Sequence, residues 1–587
     1  MCPDRNVIAS RGPVTVIIII VGLLLFLPSL RVGFLLDDFY YLGAIEGRFP
    51  DYDTGRSLFT FFVNDETETA RIAAEGGYPW WIDEGVRSQI FRLLSDLLLK
   101  FDHALFGRSP LGYHLHSLAW WATTLLACGL LFRRVLPGTV AVVALLLFAV
   151  DEVHVMPVAW IANRNALVAT APILLGLLVW IRWREDGWRV GRVLALACFA
   201  IGLSGSELAL AGLAYVVAYE VLGAPVAGLR SRLEGLVPLA TLGTVYVIVY
   251  WLLGYGGEGS GLYFHPLHDP VEFVTAAVTR IPTLLASGIL GFSADLWFAA
   301  PAARPLQVVV GLVAVVVLLC VLRVGWADMD GATRRALRWL LPGSLLSLLP
   351  IVATFPSDRM LLVPGIGLAA ALAAVLIAAF ESLRVRRHRL LVAVAGVLSF
   401  VHLLLAPVLA MYIQNLLITQ SRDSLELAAS PVVRDSGGLE TVLVFAPDHV
   451  VALYMPLLID HVSGPAPRSW RPLSIAPCDH RLSRTGERTL ELETVDGVMM
   501  SSVFEELYRS PKKPLSSGTV IDRGLFRAEV LEEAAQGPTR IAFHFDRDLG
   551  DPTLRFLIWL DGELRTAALP PLGEKVTIER SLGPAGF

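Results

Sequence analysis

From Val14 to Leu30 the chain reads VTVIIIIVGLLLFLPSL, and GFLLDDFYYLG, Gly33 to Gly43, follows almost at once. The first run is close to the roughly 20 apolar residues that cross a bilayer. Arg5 and Arg11 ahead of it would also suit a signal peptide, but the run ends in Pro28 and Arg31 and has no small-x-small cleavage site. It is therefore read as a retained first span. Just beyond it stand two adjacent carboxylates, Asp37 and Asp38, which are costly beside hydrocarbon unless they are put to use.

The rest of the composition agrees with a chain of many spans. Of 587 residues 55% are hydrophobic and only 17% charged, with a mean hydropathy of +0.61. A net charge of -5 supplies no basic field for nucleic acid, so that class of partner is excluded. Cys2, Cys128, Cys198 and Cys320 lie in or near apolar segments and Cys478 stands alone in the polar tail, without disulfide or metal-thiolate spacing.

About eleven apolar runs are candidates for membrane spans, the later ones starting near Gly112, Gly138, Ala166, Val193, Ala209, Val237, Leu306, Trp339, Leu361 and Leu391. Arginines alternate between the connecting loops. Arg133 and Arg134, IRWREDGWRVGR, GLRSRLEG, the Arg323 to Arg338 loop and ESLRVRRHR all fall on the side of the N-terminus, which the positive-inside rule makes cytoplasmic. The fold class expected is an all-α polytopic membrane domain over 1–412, with outer loops 31–111 and 256–305, followed by a soluble outer-facing α/β domain over 413–587. The tail reads as strands at TVLVFAP, FRAEVLEEA, TRIAFHFD and FLIWLDGELRTAAL, with a helix at DHVVALYMPLLIDHVSG. The localisation expected is a bacterial cytoplasmic membrane, N-terminus inside and C-terminal domain outside.

The polar residues nearest to hydrocarbon collect on the expected outer side. Asp37 and Asp38 follow the first span, DEVHVMPVAWIANR the third, SGSE the fifth and FPSDR the ninth. The third and fifth runs are short, and irregular polar backbone at that depth is tolerated only in protein or beside a water-filled cavity. In the first outer loop, RSQIFRLLSDLLLKFDHALF places Ile90, Phe91, Leu94, Leu97, Leu98, Phe101 and Leu105 on one helical face and Arg92, Asp96 and Lys100 on another, the pattern of a helix lying in the interface. A second such helix is expected from Pro270 to Gly291, interrupted at Pro282.

These segments, in this order, resemble the GT-C glycosyltransferases. The span followed by DDFYYL, then FRLLSDLLLKFDHALFGRSPLGYHLHSLAWWA, VHVMPVAWIANRNALVA, GLSGSELALAGLAYVVAYEVL and DRMLLVPGIGLAAAL are most similar to protein O-mannosyltransferases, including the branch that carries tetratricopeptide repeats. The likeness covers roughly Val14 to Phe380; the tail has no such repeats. It implies transfer of a sugar, mannose in the nearest branch, from a polyprenyl-phosphate donor to a protein, lipid or glycan acceptor on the outer face. It also implies a catalytic carboxylate at Asp37 or Asp38, and donor-phosphate or substrate contacts at Arg92, His154, Arg164, Glu207 and Arg359. Glu152, Asp358 and His265 are secondary candidates from the residues themselves. The chain departs from that family where Arg92 is followed by Leu93 and not proline, at Asp151-Glu152, and at Ser206-Glu207. Those departures leave sugar and acceptor open.

The chemistry fits these residue types. A carboxylate within hydrogen-bond reach can take the acceptor hydroxyl's proton, an effect of about 100 to 10,000-fold. Asp38 is expected as that base, with Asp37 orienting it or, if a divalent cation is used, holding the ion. Arginine binds phosphate oxygens with a planar fork. Each residue also has a plainer role: Asp37 and Asp38 as helix caps, Arg92 as a rung beside Asp96 and Lys100, Glu207 as an N-cap residue, Arg359 as a snorkelling cation beside Asp358. His265 and His268 in YFHPLHDP have metal-like spacing without a third ligand. A transporter using the same polar path, or an inactive scaffold, are the alternatives of other classes; no internal repeat supports the first.

Overall fold

The computed structural model describes residues 12–48, 56–62, 64–225, 228–264, 266, 268–384, 388–581 and 583. They fall into two compact units: Met1–Gly33, Phe91–Gly254 and Phe264–Ile418 form one, and Phe34–Ile90, Tyr255–Tyr263 and Thr419–Phe587 the other. Compact units and chain order therefore differ. Where the sequence suggests one division at residue 412, most of the first loop is grouped with the C-terminal segment.

The first unit is helical. Among the described residues eight helices are long and apolar enough to cross a membrane, or nine if Gly138–Val150 and Glu152–Ala159, bent by 53°, make one broken span. This is an integral membrane protein. Each of the expected apolar runs lies in a helix, but Val190–Gly205 and Ala209–Gly223 are shorter than a full span, and Gly331–Ile351 carries Arg334, Arg335 and Arg338 in its first turns. Apolar side chains such as Val16, Ile17, Leu24, Val309 and Val313 stay uncovered, as lipid-facing positions must.

Pro270–Leu290 differs from its expected form. It runs unbroken through Pro282 and is long enough to cross. Arg304–Gly325 packs along it, and a Cβ on Gly311 would collide with the Pro282 carbonyl oxygen. Only glycine admits so close a backbone. Gly367 plays the same part against the Leu340 carbonyl.

The expected interfacial helix is also recast. Arg87–Gln89 is a strand, and the helix is Leu93–Phe106. Its buried stripe is Ser95, Asp96, Leu99 and Asp102, whereas Leu93, Leu97, Phe101 and Leu105 are exposed. Polar groups facing protein and apolar groups facing outward is the arrangement a lipid surround demands.

The second unit is β-rich, with less helix than the α/β domain expected. Glu563–Thr566, Leu554–Leu560, Glu440–Phe445 and Ser469–Pro472 make a four-stranded sheet whose last three strands are parallel. The crossover between the last two holds the helix Met455–His461, and this part alone is α/β. A six-stranded antiparallel sheet in the order Lys575–Ile578, His480–Gly486, Thr489–Thr494, Gly537–Phe545, Phe526–Ala534, Val520–Asp522 is the larger component. The hairpin 480–494 escaped the sequence reading because its alternation is filled with Arg, Glu and Thr and not with large apolar residues. A third sheet joins Thr60–Phe62, Arg87–Gln89 and Gly256–Glu258.

Candidate functional site

The acidic pair opens the helix Asp37–Ile45 in the second unit. Leu36, the residue before it, has φ 46° and ψ -112°, a left-handed conformation that a leucine adopts only when its surroundings enforce it. That turn sends the two carboxylates different ways. Asp38 is 2% exposed and accepts a hydrogen bond from Leu35 N at 2.9 Å, closing its own turn. Asp37 is half-buried, and its Oδ1 accepts from the Tyr454 hydroxyl at 2.7 Å. The sequence reading gave Asp38 the reactive part and Asp37 the orienting one; in accessibility their order is reversed.

Around them the wall is aromatic. Tyr41 packs on Phe59 at 5.2 Å, Tyr40 donates to the Thr60 carbonyl at 2.6 Å, and Phe62 meets Tyr78 and Tyr508 at 5.6 and 5.3 Å. Burial, and next the charge of Asp37, push the Tyr454 hydroxyl well above its ordinary range.

In the helical unit the sequence candidates divide into three groups. Arg92 and Glu207 form a bidentate ion pair, Nη2 to Oε1 at 2.5 Å and Nε to Oε2 at 2.9 Å, so the ladder runs only from Asp96 to Lys100. Burial works against the charge of Glu207, but the Arg92 guanidinium outweighs it and holds the carboxyl below the usual range. Arg164 is 2% exposed and meets fully buried Asp102, Nη2 to Oδ2 at 2.5 Å, while its Nη1 donates to the Tyr113 carbonyl at 3.1 Å. Asp102 also bonds His116 Nδ1 at 2.7 Å, and Trp120 Nε1 donates to His116 Nε2 at 3.0 Å, which places the ring proton toward Asp102. Asp102 and His116 are not among the residues singled out by the sequence.

The third group gathers at the break in the Gly138–Ala159 span. Glu152 is 8% exposed; His154 is 1% exposed and packs between Trp121 and Phe148 at 4.9 and 4.5 Å. Asp151 lies 3.6 Å from His402 Nδ1, and His402 Nε2 bonds the Ile289 carbonyl at 3.0 Å. A narrow cleft runs beside them, lined by Asp151, His154, Gly288, Leu361, Gly365 and His402 among others. Asp358 accepts from Ser287 Oγ at 2.7 Å, Ser293 Oγ at 2.6 Å and Ala294 N at 2.7 Å. Asp295 is its neighbour. Burial and then the Asp358 charge raise the Asp295 carboxyl to about 7, and burial raises Asp358 as well. Arg359 is half-buried and lies over the faces of Trp160 and Phe355 at 5.3 and 5.7 Å. Asp151, Asp295 and His402 were missed; a histidine inside an apolar run was the available signal for the last.

His265 lies outside the described residues. Among those described, no three His, Cys, Asp or Glu side chains are placed to hold a metal ion.

No protein-family model matches the chain, and no curated protein does. It has a loose likeness to solved structures of the Archaeoglobus fulgidus oligosaccharyltransferase. The form tethered with an acceptor peptide containing the NVT sequon is 12% identical with a TM-score of 0.35, covering 78% of this chain and 63% of that one. The apo form is 13% identical with a TM-score of 0.35, covering 78% and 64%. AglB of the same organism, in complex with an inhibitory peptide and a dolichol-phosphate, is 15% identical with a TM-score of 0.33, covering 78% and 64%. The chain thus spans a little under two thirds of the length of these proteins.

Proposed function

We propose that the protein is a membrane glycosyltransferase of GT-C type that moves a sugar from a polyprenyl-phosphate donor to an acceptor hydroxyl on the outer face of the membrane. The observation that carries this reading is the Asp37 carboxylate. It is half-buried, follows an apolar helix, and is aimed by a strained turn among aromatic side chains. The ordered motifs of the sequence supply the class, and the arginine alternation supplies the side.

In the step assigned, the acceptor oxygen attacks the anomeric carbon. The bond from that carbon to the donor phosphate oxygen breaks, and its electron pair leaves with polyprenyl phosphate. The acceptor proton passes to Asp37, in keeping with carboxylate general bases. Asp38, closed on Leu35 N, keeps the turn in shape.

The experiment is Asp37→Asn in the full-length protein, assayed for release of polyprenyl phosphate from radiolabelled polyprenyl-phosphate mannose in expressing membranes. Turnover is expected to fall by about 100-fold or more. Turnover at the wild-type level would remove Asp37 from the reaction and leave a transporter or scaffold as the better account.

A further inference from the structure

The Asp37 carboxylate accepts a hydrogen bond from a residue more than four hundred positions away in the chain, Tyr454, at 2.7 Å. Both belong to the second compact unit. The tyrosine is not there by accident of a loose loop. Asp448 Oδ1 accepts from Val450 N at 2.8 Å and Val451 N at 3.2 Å, and Trp470 Nε1 donates to the Val451 carbonyl at 3.1 Å. These bonds brace a widened π-type turn, Val450–Tyr454, of the kind that re-aims one side chain at functional sites. Met455–His461 continues it as an α-helix with proline at its start.

That helix is seated on the acidic helix. His461 meets Phe39 and Phe34 edge-on at 5.0 and 5.7 Å, and Arg48 Nη1 bonds Asp460 Oδ1 at 2.8 Å. The tyrosine hydroxyl therefore approaches Asp37 from a surface fixed at several points.

Given the reading of Asp37 as the reacting carboxylate, we infer that Tyr454 is its positioning residue, and that the C-terminal segment 448–461 is part of the catalytic unit and not an accessory cap. Holding one carboxylate oxygen fixes rotation about the Cβ–Cγ bond, and with it the orientation of the whole carboxylate. The phenol stays protonated in its buried setting, so it remains a donor throughout the working range of pH. A plainer role exists: the ring also lines a small apolar pocket with Phe34, Leu36, Phe39, Val450 and Leu458. For filling that pocket phenylalanine would serve equally, and this separates the two roles.

The test is Tyr454→Phe in the full-length protein, with Asp37→Asn and the double variant beside it, assayed on polyprenyl-phosphate mannose as above and melted in detergent. The single tyrosine variant is expected to lose about 10-fold or more in kcat with KM for the donor within about twofold, since small misplacements of a reacting group act on rate. Its melting temperature is expected to stay at the wild-type value. The double variant is expected to be no worse than Asp37→Asn alone. If Asp37→Asn is inactive while Tyr454→Phe keeps the wild-type kcat, or if the two losses simply add, the inference falls and the function stands. If Asp37→Asn itself turns over normally, the functional reading falls. Should Tyr454→Phe melt early, the double-variant comparison still decides, because a folding defect adds to the loss at Asp37 and a positioning defect does not.

Discussion

At the scale of single residues, position beside hydrocarbon is only half of the argument about a charged group; what it touches is the other half. Arg164 and Arg359 look alike in sequence, each near an expected outer end of a span. One is 2% exposed against Asp102, the other rests half-buried on Trp160 and Phe355. The acidic cluster makes a testable statement about pH. Asp295 is raised to about 7, above its ordinary value, by burial and Asp358, with a Ser357 hydrogen bond and the Arg359 charge opposing the rise. Between about pH 4 and that value the folded protein keeps a proton that the unfolded chain has released, so stability falls as pH rises through this window and levels off above it. Melting in detergent from pH 5 to pH 8 should show that decline, and Asp295→Asn should flatten it. An unchanged slope in the variant would place the effect elsewhere.

At the scale of elements, helices meet where glycine lets backbones approach. Pro282 marks a break by the usual rule, but the helix carries through, and Gly311 lets a neighbouring helix come close to the Pro282 carbonyl. Gly311→Ala is therefore expected to force those two helices apart at a cost of about 1 to 3 kcal/mol, read as a lower melting temperature in detergent. Gly243→Ala is the control: a Cβ there meets nothing within 4 Å, and a helix gains from alanine over glycine. Equal losses in both would show that helix contact at Gly311 is not the cause. The elements of the acidic site were legible in part. DDFYYL was found from its place after an apolar run, but the π-type turn that delivers Tyr454 has no signature, since VVALYM reads as ordinary helix.

At the scale of the whole molecule, arginines in the second unit supply donors that a sheet ladder would otherwise supply. The stretch from Ala74 to Glu84 has little regular structure, and its carbonyls need donors. Arg523 donates to the Trp80 and Ile82 carbonyls, Arg509 to those of Trp81 and Ile82, and Arg471 to those of Ala74 and Arg523. Burial lowers both Arg471 and Arg509 from their ordinary range. The early loop thus has its shape set by residues far along the chain. Arg523→Ala should speed amide hydrogen exchange over 74–90 while leaving helices such as Pro364–Arg384 as they were, the orphaned Trp80 carbonyl costing about 1 to 3 kcal/mol. Exchange unchanged in that stretch would mean its shape is self-supporting.

What the sequence determined by itself was everything governed by contiguous composition: the apolar helices, the short third and fifth runs, the change of character after about Met411, and the ordered motifs that suggest a chemistry. Hydrocarbon acts on neighbouring residues in the chain, so its imprint is local. What only the tertiary structure decided was partnership: Arg164 with Asp102, Arg92 with Glu207, and Asp37 with Tyr454. It also reversed the accessibility of two adjacent aspartates through one turn at Leu36. Hydrogen bonds and ion pairs act over about 3 Å in space, whatever the distance along the chain, and neither spacing nor composition records which distant residue will arrive.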